Sequence, residues 1–157
     1  FVKTFTLTQA KKYAFLLLKF RNRSQAEMRK RLLQKKFPEQ IVNETLFFLK
    51  EKSFIDDAVF ARYFCSARAK KYGPRRLIQE LKQKGLGASL ISEALAQSNK
   101  SCPPQKVAEE ILLSRIGQYQ SLDPRKARQR AYALLLRRGF EPELAGDLIN
   151  KYLRDIS

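Results

Sequence analysis

Apolar residues recur along this chain at three- and four-residue spacing, which is the pattern of amphipathic helices. The clearest case is the segment 55–85, where two apolar stripes flank a Tyr72-Gly73-Pro74 turn. The first stripe contains Phe60, Phe64 and Ala67, and the second contains Leu77, Ile78 and Leu81. Proline fits the first position of a helix and cannot continue the helix before it. The segment therefore predicts two helices joined by a tight turn.

The same pattern occurs three times. Segments 31–46, 80–95 and 134–149 align without gaps, with anchors 49 and 54 residues apart. The aligned sets are Leu32, Leu81 and Leu135; Phe37, Leu86 and Phe140; Ile41, Leu90 and Leu144; and Glu44, Glu93 and Asp147. Enough sequence precedes each segment for one more helix, so each repeat predicts a three-helix unit. We expect an all-α fold of three tandem units, 1–54, 55–98 and 99–157, forming an elongated, curved array.

Helix starts and stops refine this assignment. In the first unit we expect a helix over 8–19, a capping box from Ser24 to Glu27, and a third helix opened by Pro38. The first of these helices should bury Tyr13, Leu16, Leu17 and Phe20. In the second unit Asp56 or Asp57 should cap the first helix, a role that fits this acidic pair better than a catalytic dyad. Its third helix should cover 88–96.

The third unit should follow a polar linker over 98–104 and contain a loop over 118–122. Asp123-Pro124 then forms a strong helix start, and the last helix should bury Leu144, Leu148, Ile149 and Tyr152. The segment 1–7 alternates like a strand but has no partner strand.

One position breaks the repeat. Lys36 stands where the other units have Gly85 and Gly139, at the expected end of each second helix. Glycine adopts a left-handed backbone without strain, whereas lysine does so at some cost. The first unit therefore either accepts that strain or ends its second helix differently.

Charge is the outstanding feature of the composition. The chain has 32 Lys and Arg against 15 Asp and Glu, a net charge of +17 with a pI near 10.2. Such an excess favours a polyanionic partner, usually a nucleic acid. Its distribution disfavours a helix-turn-helix reader, because the third helices (38–52, 86–97 and 140–153) carry −1, −1 and −2. The second helices (24–36, 74–85 and 123–138) carry +4, +3 and +5.

Stacked repeats would align these second helices into one basic stripe that fits phosphates without reading bases. The turn before the second of them is especially rich in cations, and a helix start adds free N–H donors there. The candidate filament- or DNA-binding residues are Arg29, Lys30, Arg31, Lys35, Lys70, Lys71, Tyr72, Arg75, Arg76, Lys82, Lys84, Arg125, Arg128, Arg137 and Arg138.

Other chemistry is weakly represented. The chain has no His, no glycine-rich phosphate loop and only two cysteines. Cys65 fits a helical core and Cys102 a loop, so we expect reduced thiols and no metal or other cofactor. The missing His and phosphate loop favour a non-catalytic protein. No apolar run is long enough to cross a bilayer and no signal peptide is evident, which favours a cytoplasmic protein.

The segment 56–85 also resembles the RecX regulators of the bacterial recombinase RecA. The resemblance rests on Asp56, Asp57, Phe60, Ala61, Phe64 and Arg68, followed by Gly73, Pro74, Arg75, Ile78, Glu80, Leu81, Lys84 and Gly85. Weaker matches at 23–32 and 138–140 extend it over most of the chain.

This resemblance implies a monomer that binds in the groove of the RecA–DNA filament, in contact with single- or double-stranded DNA. It also implies a regulator, mainly an inhibitor, of ATP hydrolysis, strand exchange and coprotease activity, hence of DNA repair, homologous recombination and the SOS response. The residues alone reach only an elongated basic helical binder. A direct, sequence-independent DNA- or RNA-binding protein without a recombinase target stays open as the alternative.

Overall fold

The computed structural model describes residues 4–154, and in this range the chain forms nine helices and no strand. In chain order they are α1 (Leu7–Phe20), α2 (Gln25–Gln34), α3 (Glu39–Glu51), α4 (Asp57–Arg68), α5 (Pro74–Gln83), α6 (Ala88–Ser101), α7 (Pro104–Gln120), α8 (Pro124–Arg137) and α9 (Pro142–Tyr152). The predicted all-α class is confirmed.

Packing divides the helices into three successive units, which we call units 1, 2 and 3. Helices α1–α3 enclose one hydrophobic core, α4–α6 a second and α7–α9 a third. The aligned Leu32, Leu81 and Leu135 are each 0% exposed, one in each core. Phe37, Leu86 and Phe140 are also buried, one per core. The repeat alignment therefore identifies structurally equivalent positions.

Helices in the second half of the chain are longer than predicted. Helix α6 continues to Ser101, through most of the expected linker and across the proposed unit boundary at residue 98, so only Cys102 and Pro103 separate it from α7. Helix α7 continues to Gln120 and buries Tyr119, so the predicted loop over 118–122 is also wrong. Both segments are polar on average, but polar residues on the outer face of a helix are solvated and do not end it.

Some residues of the predicted apolar stripes face solvent. Leu16 is 52% exposed and Phe20 is 76% exposed, because α1 places Ala10, Ala14 and Leu17 against the core instead. Ala67 is also exposed, whereas Phe60 and Cys65 of the same helix are buried. Because the inward face of α1 carries two small alanines, the larger Leu16 and Phe20 are left on its outer side.

The second helices end in the same way in all three units. The residue just past each helix has a positive φ: 72° at Lys36, 81° at Gly85 and 94° at Gly139. In each turn the next residue donates its N–H back five residues, for example from Phe140 to the Leu135 carbonyl at 3.1 Å. This is a Schellman motif. Lys36 therefore accepts the left-handed conformation, which costs about 1 kcal/mol relative to glycine.

Side chains cap several helix starts as the sequence predicted. Ser24 and Glu27 form the capping box of α2. Asp56 accepts from the N–H groups of Ala58 and Val59 at the start of α4. Asp123 caps α8. The open choice between Asp56 and Asp57 resolves into two roles, because Asp57 accepts from the N–H of Gln25 in unit 1.

The accessible surface indicates an extended molecule. A compact monomer of this mass would expose about 8,100 Å² by the usual scaling of surface with mass. This chain exposes 10343 Å². The excess fits three small cores in a row better than one large core, whereas the curvature of the array stays a prediction. None of the helices between residues 4 and 154 is long and apolar enough to span a membrane.

Candidate nucleic-acid interface

The second helices of the three units meet end to end. At the joint between units 2 and 3, the Gly73 N–H donates to the Arg138 carbonyl at 2.7 Å, and the Arg75 N–H donates to the Gly139 carbonyl at 3.0 Å. The start of α5 is thus bonded directly to the turn that ends α8. Backbone bonds of this kind fix both the distance and the direction between the two helices.

The joint between units 1 and 2 likewise brings the start of one second helix against the end of another. The Ser24 hydroxyl donates to the Lys84 carbonyl at 2.6 Å, and the Lys84 ammonium contacts the Glu27 carboxylate at 2.9 Å. The Gln25 N–H donates to Asp57 at 2.8 Å. The start of α2 therefore rests on the end of α5, as the start of α5 rests on the end of α8. Helices α8, α5 and α2 form one continuous body, which we call the basic ridge.

Close contact at the joints explains where the sequence has glycine. A Cβ on Gly139 would lie 2.4 Å from the Arg76 Cβ, and a Cβ on Gly85 would lie 2.3 Å from the Ala26 Cβ. Lys36 ends α2, at the end of the ridge opposite α8, and it is exposed there. The lysine is tolerated because only its backbone conformation, and no neighbour, argues for glycine there.

Gly73→Ala is expected to lower the free energy of unfolding by about 1–3 kcal/mol, as overpacking does elsewhere. Its φ of −83° suits alanine, but the added Cβ would lie 2.5 Å from the Gly139 backbone. Gly87→Ala is the matched control: it also precedes a helix of unit 2, with φ of −75° and no atom within 4 Å of the new Cβ. Urea unfolding compares them, and equal stability of the two variants would contradict a tight joint.

The joints also change the expected chemistry at the start of α5. The sequence suggested that free N–H groups there would help to hold an anion. Two of them, from Gly73 and Arg75, are already bonded to unit 3. Any anion at this place must therefore be held by side chains.

Several predicted binding residues hold the protein together. Arg29 pairs with Glu39 at 2.9 Å and bonds Asn43, whereas Arg128 bonds Asn150 and the Leu153 carbonyl. Lys84 pairs with Glu27 as described above. These cations are partly neutralised or bonded within the fold. The formal charge of the second helices therefore overstates the charge that is available to bind a partner.

A cluster of cations around Tyr72 is likewise structural. The guanidinium groups of Arg68, Arg76 and Arg138 lie 4.5, 4.1 and 5.5 Å from its ring centre. Arg68 and Arg76 both contact Glu80, at 2.8 and 3.0 Å. Arg138 bonds the Lys71 carbonyl at 3.0 Å and so ties unit 3 to unit 2. Arg68, Arg76 and Arg138 are thus engaged within the protein, whereas Lys70, Lys71 and Arg75 of the same turn make no ion pair among residues 4–154.

The remaining predicted cations face solvent. Within residues 4–154 they make no side-chain ion pair. They are Lys30, Arg31, Lys35, Lys70, Lys71, Arg75, Lys82, Arg125 and Arg137. These residues supply the charge that an approaching polyanion would meet first.

Two grooves lie along the ridge, one at each joint. The groove at the unit 2–unit 3 joint has a volume of 560 Å³ and is lined by Arg75, Arg76 and Gln79 of α5 and Arg137 of α8, among others. The groove at the unit 1–unit 2 joint has a volume of 480 Å³. It is lined by Arg21, Arg23, Ala26, Glu27, Lys30, Arg31, Gln34, Gln83 and Lys84. Most positions that line the unit 1–unit 2 groove have their repeat equivalents in the lining of the unit 2–unit 3 groove.

Glu27 is the acidic member of the unit 1–unit 2 groove. Burial alone would raise its pKa, but bonds from Arg21 at 3.0 Å, Lys84 at 2.9 Å and the Ser24 N–H outweigh burial and hold the pKa of Glu27 at about 2. The carboxylate is therefore ionised and fully engaged at neutral pH. Its ion pairs are with Arg21 and Lys84, and it makes none with Arg23, Lys30 or Arg31.

Arg23 lines this groove but is absent from the sequence-predicted site. It lies in the extended segment between α1 and α2, outside every helix on which charge was counted. The only signal was its place next to Ser24 in the weaker part of the family resemblance. Predicted residues that line neither groove are Lys35, Lys70, Lys71, Tyr72, Lys82, Arg125, Arg128 and Arg138, whereas Arg29 flanks only a shallow depression on α2.

The other faces of the units differ from the ridge. Glu44, Glu93 and Asp147 are exposed on the third helices, away from one another in sequence and in different units. Among residues 4–154 no group of three or more His, Cys, Asp or Glu could hold a metal ion. Cys65 is buried, which raises the pKa of its thiol.

Comparison with known proteins gives a consistent result along the whole chain. Three family models match in order: the first three-helix domain of RecX over residues 10–49, the second over 56–95 and the third over 105–153. The regulatory protein RecX of Pasteurella multocida is 35% identical over 133 residues, covering 83% of this chain and 80% of that protein. The one of Mannheimia succiniciproducens is 31% identical, covering 94% and 97%.

Solved structures agree on the fold. The crystal structure of RecX from Lactobacillus salivarius aligns with a TM-score of 0.81, covering 93% of this chain and 96% of that one. Its sequence identity is 17%, so this likeness speaks for the three-unit architecture alone.

Proposed function

This chain belongs to the RecX family of regulatory proteins, and we propose that it regulates a RecA recombinase by binding in the groove of the RecA–DNA filament. The observation that carries the proposal is the basic ridge. Three second helices, joined end to end by backbone bonds at one joint and by side-chain bonds and an ion pair at the other, present exposed cations on an extended body. Such a body suits a long, repetitive polyanion–protein surface better than a small ligand.

The ridge would contact DNA phosphates, single- or double-stranded, and the rest of the units would contact recombinase protomers. Because each unit is small, each contact is weak, and affinity would come from simultaneous engagement of several units. A protein held across neighbouring protomers restrains their movements during the ATP cycle. The expected outcome is mainly inhibition of ATP hydrolysis, strand exchange and coprotease activity, with consequences for homologous recombination, DNA repair and the SOS response.

The protein would act as a monomer, in the cytoplasm with its recombinase, and without chemistry of its own. The ridge supports this last point, since its carboxylates Glu27 and Glu80 are both engaged by cations of the fold. Its role would be to occupy the filament groove and to restrain the recombinase protomers, and this role requires no catalytic group.

The test is ATP hydrolysis by RecA filaments preassembled on single-stranded DNA. We expect the added protein to lower the steady-state rate at substoichiometric amounts, because one molecule spans several protomers. Binding of the protein to the same DNA without RecA is measured in parallel. An unchanged hydrolysis rate, together with equally tight binding to bare DNA, would favour the alternative of a direct nucleic-acid-binding protein.

A further inference from the structure

The groove between units 1 and 2 contains a cation that the fold itself does not satisfy. The Arg23 Nε is buried and has no hydrogen-bond partner within the described residues. Burial lowers the pKa of Arg23, and the neighbouring Arg21 and Arg31 lower it further, which outweighs the opposing effects of Glu27 and Tyr13. Native proteins leave few buried donors unpaired, and a bound ion is one explanation for a donor of this kind.

Its neighbours do not relieve this situation. The groove brings together five cations, Arg21, Arg23, Lys30, Arg31 and Lys84, with one carboxylate, Glu27. That carboxylate is taken up by Arg21 and Lys84. Arg23, Lys30 and Arg31 line the same groove and make no ion pair among residues 4–154. Like charges so placed repel each other unless an anion lies between them.

We infer that this groove is a seat for one phosphate of a nucleic-acid backbone, held by Arg23, Lys30 and Arg31. The inference rests on the proposed function and makes it more specific, since it names the group bound and the residues that bind it. An arginine Nε–H and Nη–H pair matches two phosphate oxygens, and lysine adds a point charge.

A backbone phosphate fits better than an isolated carboxylate because a second groove with exposed cations lies on the same ridge. The unit 2–unit 3 groove occupies the equivalent place on the ridge and also carries exposed cations, Arg75 and Arg137. The ten-residue helix α5 contributes to both grooves and is about 15 Å long. Anion sites in series along one helix suit a strand that carries a phosphate on every nucleotide.

The experiment compares Arg23→Gln with Lys82→Gln in the full-length chain. Both remove one charge from the ridge region, but Lys82 is exposed and lines neither groove. A labelled oligothymidylate is the probe, and fluorescence anisotropy at several salt concentrations is the readout. We expect Arg23→Gln to weaken binding about tenfold, because it removes charge-assisted hydrogen bonds, and Lys82→Gln to weaken it about twofold. Arg23→Lys should recover only part of the loss.

Stability supplies a second readout. Because Arg23 is poorly accommodated by the fold, Arg23→Gln should leave the melting temperature unchanged or raise it. Equal losses of affinity for Arg23→Gln and Lys82→Gln would overturn the phosphate seat and leave only a diffuse basic ridge. A lowered melting temperature together with weakened binding would instead show that Arg23 stabilises the fold. Failure of the proposed function is read separately, as absence of any effect of the unaltered protein on ATP hydrolysis by RecA.

Discussion

Phe140→Ala is expected to lower the free energy of unfolding by about 3–5 kcal/mol, the range found for buried phenylalanines elsewhere. Phe140 is 1% exposed and is among the largest fully buried side chains of the described residues. It follows the left-handed Gly139 and anchors the end of α8 in the core of unit 3. Removing the ring leaves a cavity in that core and loosens the turn that receives α5.

Because the three cores are separate, the loss should concentrate in one unit. Urea unfolding followed by far-UV circular dichroism should show an early transition for unit 3, with α4–α6 and α1–α3 unfolding later. Phe47→Ala is the control, since Phe47 is 69% exposed on α3 and its removal should change stability by less than about 0.5 kcal/mol. A single transition with an unchanged midpoint for Phe140→Ala would mean that the ring is not part of a core.

Repetition made the fold readable from the sequence. A single apolar stripe can be read in several registers, but three aligned copies constrain one another. The repeat alignment places Leu32, Leu81 and Leu135 together, and all three are inaccessible to solvent. Local start signals were equally informative at Ser24, Asp56 and Asp123, because a helix start is decided by neighbouring residues.

Helix length was harder to predict because it depends on tertiary contacts. Residues 98–101 are polar and include Ser and Asn, and residues 118–120 are Gln-Tyr-Gln, yet both segments continue a helix. In the first case Cys102 packs against the cores of both unit 2 and unit 3, and in the second Tyr119 is buried. One apolar side chain at the end of a polar stretch was enough to extend each helix, and local propensity does not register such a contact.

The candidate site was predicted in outline and missed in detail for a related reason. Counting charge along the second helices found the ridge, because formal charge is a property of sequence. Which cations are free is decided by partners that lie far away in the chain, such as Arg138 with the Lys71 carbonyl or Lys84 with Glu27. Arg23 was missed because it belongs to no helix. The joints could not be predicted either, because their bonds connect residues far apart in the chain, although Gly85 and Gly139 lie at their positions.

The cations of the ridge fall into two groups, and this division allows the binding role of the ridge to be tested by mutation. One group is bonded within the protein and sets the geometry of the joints, as Arg76 does through Glu80 and the Tyr72 ring. Reversing the charge of Arg76 would therefore damage the fold as well as any interface. The other group is exposed, and Lys30, Arg75 and Arg137 give one such residue on each helix of the ridge.

Replacing Lys30, Arg75 and Arg137 together with Glu is expected to weaken binding to DNA or to the RecA filament by roughly a thousandfold at moderate salt. Three phosphate contacts are lost and three repelling charges are added, so the dependence of log affinity on log salt should also flatten by about three units. Stability should change little, because Arg75 lies in the first turn of α5, where an acid is favoured, and only Arg137 lies near a helix end that disfavours one.

The matched control makes the same change of charge on another face of the protein. Replacing Lys12, Arg62 and Lys106 with Glu alters one exposed cation on the first helix of each unit, so the net charge changes by the same amount. Long-range attraction to a polyanion falls equally in both variants, whereas direct contact is lost only where the ridge touches phosphate. If the control binds about as weakly as the ridge variant, net charge alone drives association. If the control binds more weakly, the first helices form the interface, and the basic ridge faces away from the nucleic acid.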